Sequence, residues 1–97
     1  MAYVYETVII LNPILSDDQA KDVVAKFRKI INDLGGKITQ EEGWGKKSGG
    51  HYHLFDFTGD ARVKNELENA LKRDERVLRF MTTRLEMLDA TDEAPSG

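Results

Sequence analysis

The pattern of apolar and polar positions divides the chain into six elements. Apolar residues at every third or fourth position indicate two helices, whereas β-branched and alternating apolar residues indicate four strands. The predicted elements are, in order, a strand over 3–11, a helix over 16–34, a strand over 37–44, a strand over 51–58, a helix over 59–73 and a strand over 77–87. The order βαββαβ predicts an α+β fold of the ferredoxin-like, split βαβ type, a four-stranded antiparallel sheet with two helices on one face.

The first helix carries the clearest signals of where it begins and ends. Ser16, followed three residues later by Gln19, fits a capping box, and Asp17 and Asp18 lie where the helix dipole favours negative charge. The pair Gly35-Gly36 ends the helix, because glycine adopts the left-handed cap conformation without a steric penalty. This segment is therefore predicted to anchor the fold.

The face of the sheet that the helices leave uncovered is unusually apolar. Residues 8–11 are apolar at every position, which is typical of a central strand with both faces covered. Period-two alternation assigns four large residues to the helix side: Phe55, Phe57, Leu78 and Phe80. It assigns six apolar residues to the open side: Val8, Ile10, Tyr52, Leu54, Met81 and Leu85. Such a patch favours a protein partner, although scattered apolar residues are also common on small domains.

Length and charge limit the possible classes of protein. The 97 residues suffice for one domain, predicted over 1–88, and the acidic segment 89–97 lacks large apolar residues and is predicted to be a disordered tail. Lys and Arg number 14 and Asp and Glu 17, for a net charge of −3. The tail holds three acids and no base, so the domain itself is neutral. No membrane span or secretory pattern is present, which predicts a cytoplasmic protein.

The sequence offers little for catalysis or for a metal. Cysteine is absent, which excludes disulfides and thiolate chemistry, and no glycine-rich phosphate loop occurs. His51 and His53 share one strand face, but Asp56 points to the opposite face. Glu41 and Glu42, being adjacent, also face opposite ways. We therefore predict no enzyme activity, no metal and no cofactor.

Basic residues cluster in two places. Lys46 and Lys47 follow Trp44, and a second group surrounds the end of the second helix: Lys72, Arg73, Arg76 and Arg79. Cations near an aromatic residue can contact phosphates while the ring stacks on bases, with Tyr52 the one exposed aromatic predicted on the third strand. Alternatively, the second group complements the dipole of its own helix. The residues alone leave both interpretations open.

Several motifs coincide in order along this topology. They are residues 5–6 (YE), 10–13 (ILNP), 44–47 (WGKK), 50–57 (GHYHLFDF) and 71–79 (LKRDERVLR). Together they closely resemble the bacterial small-subunit ribosomal protein S-six family over residues 3–88. The resemblance implies a structural component of the ribosome that binds central-domain rRNA together with ribosomal protein S-eighteen. It implies RNA contacts at Lys46, Lys47, Arg73 and Arg79, and a partner face formed by Val8, Ile10, Tyr52, Leu54 and Met81.

The sequence departs from the family pattern after Lys47. The family normally continues through a Leu-Ala-Tyr-x-Ile stretch, whereas here Ser48-Gly49-Gly50 follows directly. The hairpin between the second and third strands is therefore predicted to be shortened, which would impair RNA and partner binding and, if strained, favour strand exchange or a homodimer in isolation. The competing hypothesis is a small-molecule-binding regulatory domain of the same fold that acts as a homodimer.

Overall fold

The structure is a computed structural model that describes residues 2–47 and 49–88. Its elements are β1 (Ala2–Leu11), α1 (Asp17–Asp33), β2 (Lys37–Lys47), β3 (Gly50–Gly59), α2 (Ala61–Arg73) and β4 (Val77–Leu88). The four strands form one antiparallel sheet in the order β2-β3-β1-β4. The predicted α+β, ferredoxin-like order is confirmed. The predicted tail over 89–97 lies outside the described residues.

The strand β1 is central, as its unbroken apolar run predicts. It pairs with β3 along one side and with β4 along the other, so β2 and β4 form the two edges of the sheet. Alternate residues of β1 are buried against the helices: Tyr5, Thr7, Ile9 and Leu11. Thr7 satisfies its hydroxyl there through a 3.0 Å hydrogen bond with the hydroxyl of Thr82. The other half of β1 faces away from the helices.

The core lies between the sheet and the two helices. Its largest fully buried side chains include Phe27 of α1, Leu67 of α2, and Phe55 and Phe57 of β3. The predicted capping box is present, because the Ser16 hydroxyl accepts from the Gln19 amide and the Gln19 side chain accepts from the Ser16 amide. Each helix buries one face in this core, and both helices pack on the same side of the sheet.

The hairpin between β2 and β3 is tighter than predicted. The sequence pattern ends the second strand at residue 44 and leaves 45–50 as a loop, but β2 continues to Lys47 and pairs there with Gly50. Gly49 and Gly50 have φ angles of 98° and 150°, a region that side-chain-bearing residues rarely occupy. These glycines allow the chain to reverse at once, so the shortened hairpin is continuous sheet almost to its tip.

Two irregularities in β4 correct the predicted alternation. Opposite β1, the register shifts so that Leu78 is an extra residue, and Leu78 is 50% exposed instead of packing on the helix side. A second shift makes Leu85 extra, so Glu86 is the residue opposite Val4. Leu85 therefore has no direct partner in β1, and its side chain is 52% exposed. Each bulge moves later residues to the other face, which period-two alternation cannot anticipate.

Candidate nucleic-acid and protein interface

The open face, meaning the sheet surface opposite the helices, is organised in three rows of cross-strand neighbours. The first row contains Tyr52, Ile10 and Arg79, and the second contains Glu42, Leu54, Val8 and Met81. The third row contains Gln40, Asp56, Glu6 and Thr83. The first two rows, which we call the apolar rows, lie towards the hairpin end. The Asp56–Glu6 pair at the centre of the third row is called the acidic pair.

All five residues of the predicted partner face lie in the apolar rows. Met81 is 61% exposed, and Val8, Ile10 and Tyr52 are partly exposed. Leu54 is only 7% exposed, since its neighbours in the sheet cover it. The structure therefore brings the five together on one surface, with Leu54 supporting the patch from beneath more than presenting a contact of its own.

An additional aromatic residue extends this patch. The rings of Trp44 and Tyr52 stack with centroids 6.3 Å apart, and the Trp44 Nε1 donates a 3.0 Å hydrogen bond to Glu42. Trp44 is 42% exposed. Trp44 is the extra residue of a bulge between Gly43 and Gly45 of β2, so it adds an exposed ring beside Tyr52, the aromatic predicted on the third strand. Its two flanking glycines were the available signal.

The four predicted RNA-contact residues gather at one end of the molecule. Lys46, Lys47, Arg73 and Arg79 are all exposed, and no ion pair engages them within the described part of the chain. The two lysines lie at the β2 edge, and Arg79 lies at the β4 edge, about 14 Å away across three strand spacings. We call this set the basic end.

Arg76, in contrast, is engaged within the protein. Its guanidinium donates two hydrogen bonds, of 2.9 and 2.7 Å, to the carboxylate of the buried Asp74. Lys26 contributes a further 2.9 Å contact from α1. The bonds from Arg76, followed by the one from Lys26, hold the pKa of Asp74 well below its usual range. Arg76 is exposed but paired with Asp74, whereas no ion pair engages its neighbours Arg73 and Arg79 among the described residues.

Both histidines have partners on the helix side. The His51 Nε2 donates to the carbonyl of Leu15 at 2.8 Å, and the His53 Nε2 lies 2.8 Å from the Glu41 carboxylate. Arg28 also binds Glu41 and is the main reason that the pKa of Glu41 is lowered. Across residues 2–47 and 49–88, no group of three acidic, histidine or cysteine side chains is placed to hold a metal. His51 thus holds the segment before α1 to the hairpin, and His53 joins β3 to β2 through Glu41, which Arg28 of α1 also binds.

The acidic pair has a different environment. Glu6 lies directly opposite Asp56, and one Asp56 oxygen, Oδ1, is buried without a hydrogen-bond partner among the described residues. A shared hydrogen bond with Asp56 raises the pKa of Glu6, and burial and the charge of Glu42 act in the same direction. Two neighbouring carboxylates on the open face thus repel each other when both are charged, and they share one hydrogen bond.

The described helices are too short or too polar to cross a membrane.

A family model described as Ribosomal protein S6 matches residues 4–84. Two proteins named small ribosomal subunit protein bS6 are 45% identical in Bacteroides fragilis and 42% identical in Flavobacterium psychrophilum. Each comparison covers 84% of this chain and 80% of the relative. The alignments run over 91 residues, more than this chain contributes, so the relatives carry residues within the matched region that it lacks.

Solved structures agree with these sequence relationships. The 30S ribosomal protein S6 of Thermotoga maritima superposes with a TM-score of 0.81 at 26% identity, covering 88% of this chain and 89% of that one. The C-terminal domain of the Mycobacterium tuberculosis MgtC protein gives a TM-score of 0.65 at 13% identity, over 91% and 93% of the two chains, and so shares the fold alone. The chain therefore belongs to the Ribosomal protein S6 family, and it is a non-enzymatic ribosomal protein of the small subunit, which functions in the cytoplasm.

Proposed function

We propose that this protein binds central-domain rRNA of the small subunit together with ribosomal protein S-eighteen. The observation that carries the proposal is the exposure of the apolar rows, where Met81 lies beside the partly exposed Val8, Ile10 and Tyr52. Covering contiguous apolar surface is favourable, and a second protein provides that cover. S-eighteen is accordingly assigned to the open face.

The RNA is assigned to the basic end. Lys46, Lys47, Arg73 and Arg79 project uncompensated charge from a neutral domain, and each lysine or arginine placed near a phosphate releases counterions on binding. Trp44 lies next to the lysines along the hairpin and offers ring surface for a base. Because this patch is small, a partner that contributes its own RNA contacts would raise the affinity considerably.

The short hairpin reduces the surface that both partners can reach. β2 and β3 are joined at residues 48–49, where the family pattern has the longer stretch. The core does not depend on that stretch, since its buried residues come from β1, α1, β3 and α2, and a shorter loop costs no more entropy to close. The fold is thus retained while contact area is lost.

The experiment compares this chain with a version in which a Leu-Ala-Tyr-x-Ile stretch is inserted after Lys47. Each is tested for capture of purified S-eighteen and central-domain rRNA, separately and together. Binding by the restored version and weaker binding by this chain would support the proposal and assign the loss to the hairpin. If neither version binds, the proposed function is wrong.

One observation favours the competing small-molecule function. A cleft of about 480 Å³ lies between α1 and the hairpin, with an apolar floor of Leu11, Ala20 and Val24 and with Lys21 and Lys46 among its lining residues. Clefts of this size commonly hold small ligands. Thermal-shift screening against amino acids and nucleotides tests this function, because a specific ligand raises the melting temperature. Sedimentation of the isolated chain tests the predicted homodimer or strand exchange.

A further inference from the structure

The acidic pair borders the apolar rows directly. In β1, Glu6 is two residues from Val8 on the same face, and in β3, Asp56 is two residues from Leu54. A partner seated on the apolar rows therefore reaches the acidic pair and removes water from it. Removing an unpaired carboxylate from water costs several kcal/mol, so such a partner has to compensate the charge or stop short of this row.

The protein does not provide that compensation itself. No basic side chain within the described residues forms an ion pair with Glu6 or Asp56. The nearby Glu42 differs, because it already accepts hydrogen bonds from Trp44 and Gln40. The buried Oδ1 of Asp56 lacks a donor altogether among these residues. The partly exposed acidic pair is thus left without a cation among the described residues, and it is bordered by apolar surface.

We propose that the partner protein on the open face places a cationic side chain, lysine or arginine, against the Glu6–Asp56 pair. This inference rests on the proposed function and specifies the chemistry that the partner surface must carry. An arginine is suited to the site, because its planar donors can satisfy two carboxylates at once. The flanking Val8 and Met81 side chains then exclude water around the ion pair, which strengthens it.

The test measures S-eighteen binding to the full chain by titration calorimetry. The variant Glu6→Gln with Asp56→Asn removes the acidic pair but keeps its size, and it also removes a repulsion, so folding is retained. The matched control, Glu66→Gln with Glu75→Gln, removes two exposed carboxylates outside the three rows. Met81→Asp reports separately whether the apolar rows are the binding surface. Sedimentation of each variant checks that it stays monomeric.

The direction in which the affinity for S-eighteen changes decides whether the inference holds. Pairing with a cation predicts affinity about tenfold or more weaker for the double variant, and less than about twofold change for the control. Unchanged binding means that the partner stops short of the row, and tighter binding means that an apolar surface covers it; either result overturns the inference. If Met81→Asp abolishes binding and the double variant does not change it, the apolar rows remain the binding surface while the inference about the acidic pair is wrong. If the wild-type chain does not bind, or Met81→Asp binds normally, the proposed interface itself is wrong. If sedimentation shows that the chain self-associates and that the double variant does not, the occupant of the open face is a second copy of this chain, which also overturns the inference.

Discussion

At the scale of single residues, two buried or half-buried acids have opposite roles. Asp74 is 8% exposed and accepts from the side chains of Arg76 and Lys26 and from the Arg76 amide, so its charged form is stabilised. Glu6 faces another carboxylate and lacks a cation among the described residues, so its charged form is disfavoured. The first acid closes the junction between α2 and β4, whereas the second leaves charge on the open face. Their contributions to stability consequently change in opposite directions with pH.

Asp74→Asn is expected to destabilise the fold at neutral pH. Because the native pKa is lowered, the carboxylate contributes stability above its unfolded pKa of about 4, and that contribution is lost as the pH falls through the lower native pKa. Hydrogen bonds to charged groups suggest a loss of about 1–3 kcal/mol at pH 7. Urea unfolding at several pH values measures it. A difference between wild type and variant that stays constant into strong acid would contradict the ion-pair explanation.

Glu6→Gln is expected to stabilise the isolated protein slightly at neutral pH. A raised native pKa favours the protonated acid, so this benefit exists below the unfolded pKa and is lost as the pH rises through the native pKa. Glutamine removes the repulsion that remains at pH 7, by less than about 1 kcal/mol because the site is partly solvated. Thermal melts at neutral and acidic pH should show a gain only at neutral pH. The control Glu66→Gln should show none.

At the scale of elements, register is decided where strands meet and not within each strand. The bulges at Trp44, Leu78 and Leu85 each insert one residue against a regular partner strand. At the hairpin, three glycines with positive φ, Gly45, Gly49 and Gly50, allow β2 to bend and the chain to reverse. The edge strands are therefore irregular, while the central pairing of β1 with β3 is continuous. Irregular edges also discourage pairing with other chains.

Gly50→Ala is expected to disrupt the hairpin. An added Cβ would lie 2.3 Å from the carbonyl oxygen of Leu11, in addition to the strain of the 150° φ angle. We expect a loss of about 2–4 kcal/mol, from strain plus steric overlap with backbone. Gly45→Ala is the matched control: its φ is also positive, at 75°, but nothing lies within 4 Å, so only about 1 kcal/mol should be lost. Urea unfolding compares them, and equal losses would argue against the steric explanation.

At the scale of the whole molecule, the two proposed binding sites occupy one end and one face. The basic end, the apolar rows and the acidic pair follow one another along the sheet. The helices cover only the opposite surface, and their one contribution to these sites is Arg73, the last residue of α2. Under the proposed function, the neutral domain binds RNA through the exposed cations at one end and a protein on the adjoining face.

RNA binding is expected to depend on Lys46 and Arg79 through phosphate contacts. Alanine at either position should weaken binding to central-domain rRNA and reduce the slope of log affinity against log salt by about one. Lys29→Ala is the control, because Lys29 pairs with Asp33 near the distant end of α1. Filter binding at several salt concentrations provides the slopes. Unchanged slopes for Lys46→Ala and Arg79→Ala would exclude these residues as phosphate contacts.

The sequence was informative wherever structure is determined locally. The cap at Ser16, the apolar stripe of α1 and the central position of β1 all follow from nearest neighbours along the chain. The exposure of Leu78 and the stacking of Trp44 on Tyr52 could not be predicted, because each depends on register against a strand distant in sequence. The missing donor at Asp56 was equally hidden, since adjacent acids are recognised only after the strands are paired.

The central position of β1 has a consequence for when the protein can fold. The first strand to be synthesised lies between β3 and β4, and β4 is the last strand of the sheet along the chain. During synthesis, one side of β1 has no final partner until β4, Val77–Leu88, has emerged. Sheets closed by such distant pairings form slowly and leave unpaired strands exposed to aggregation. This ribosomal protein can therefore complete its sheet only after the residues up to Leu88 have left the ribosome that makes it.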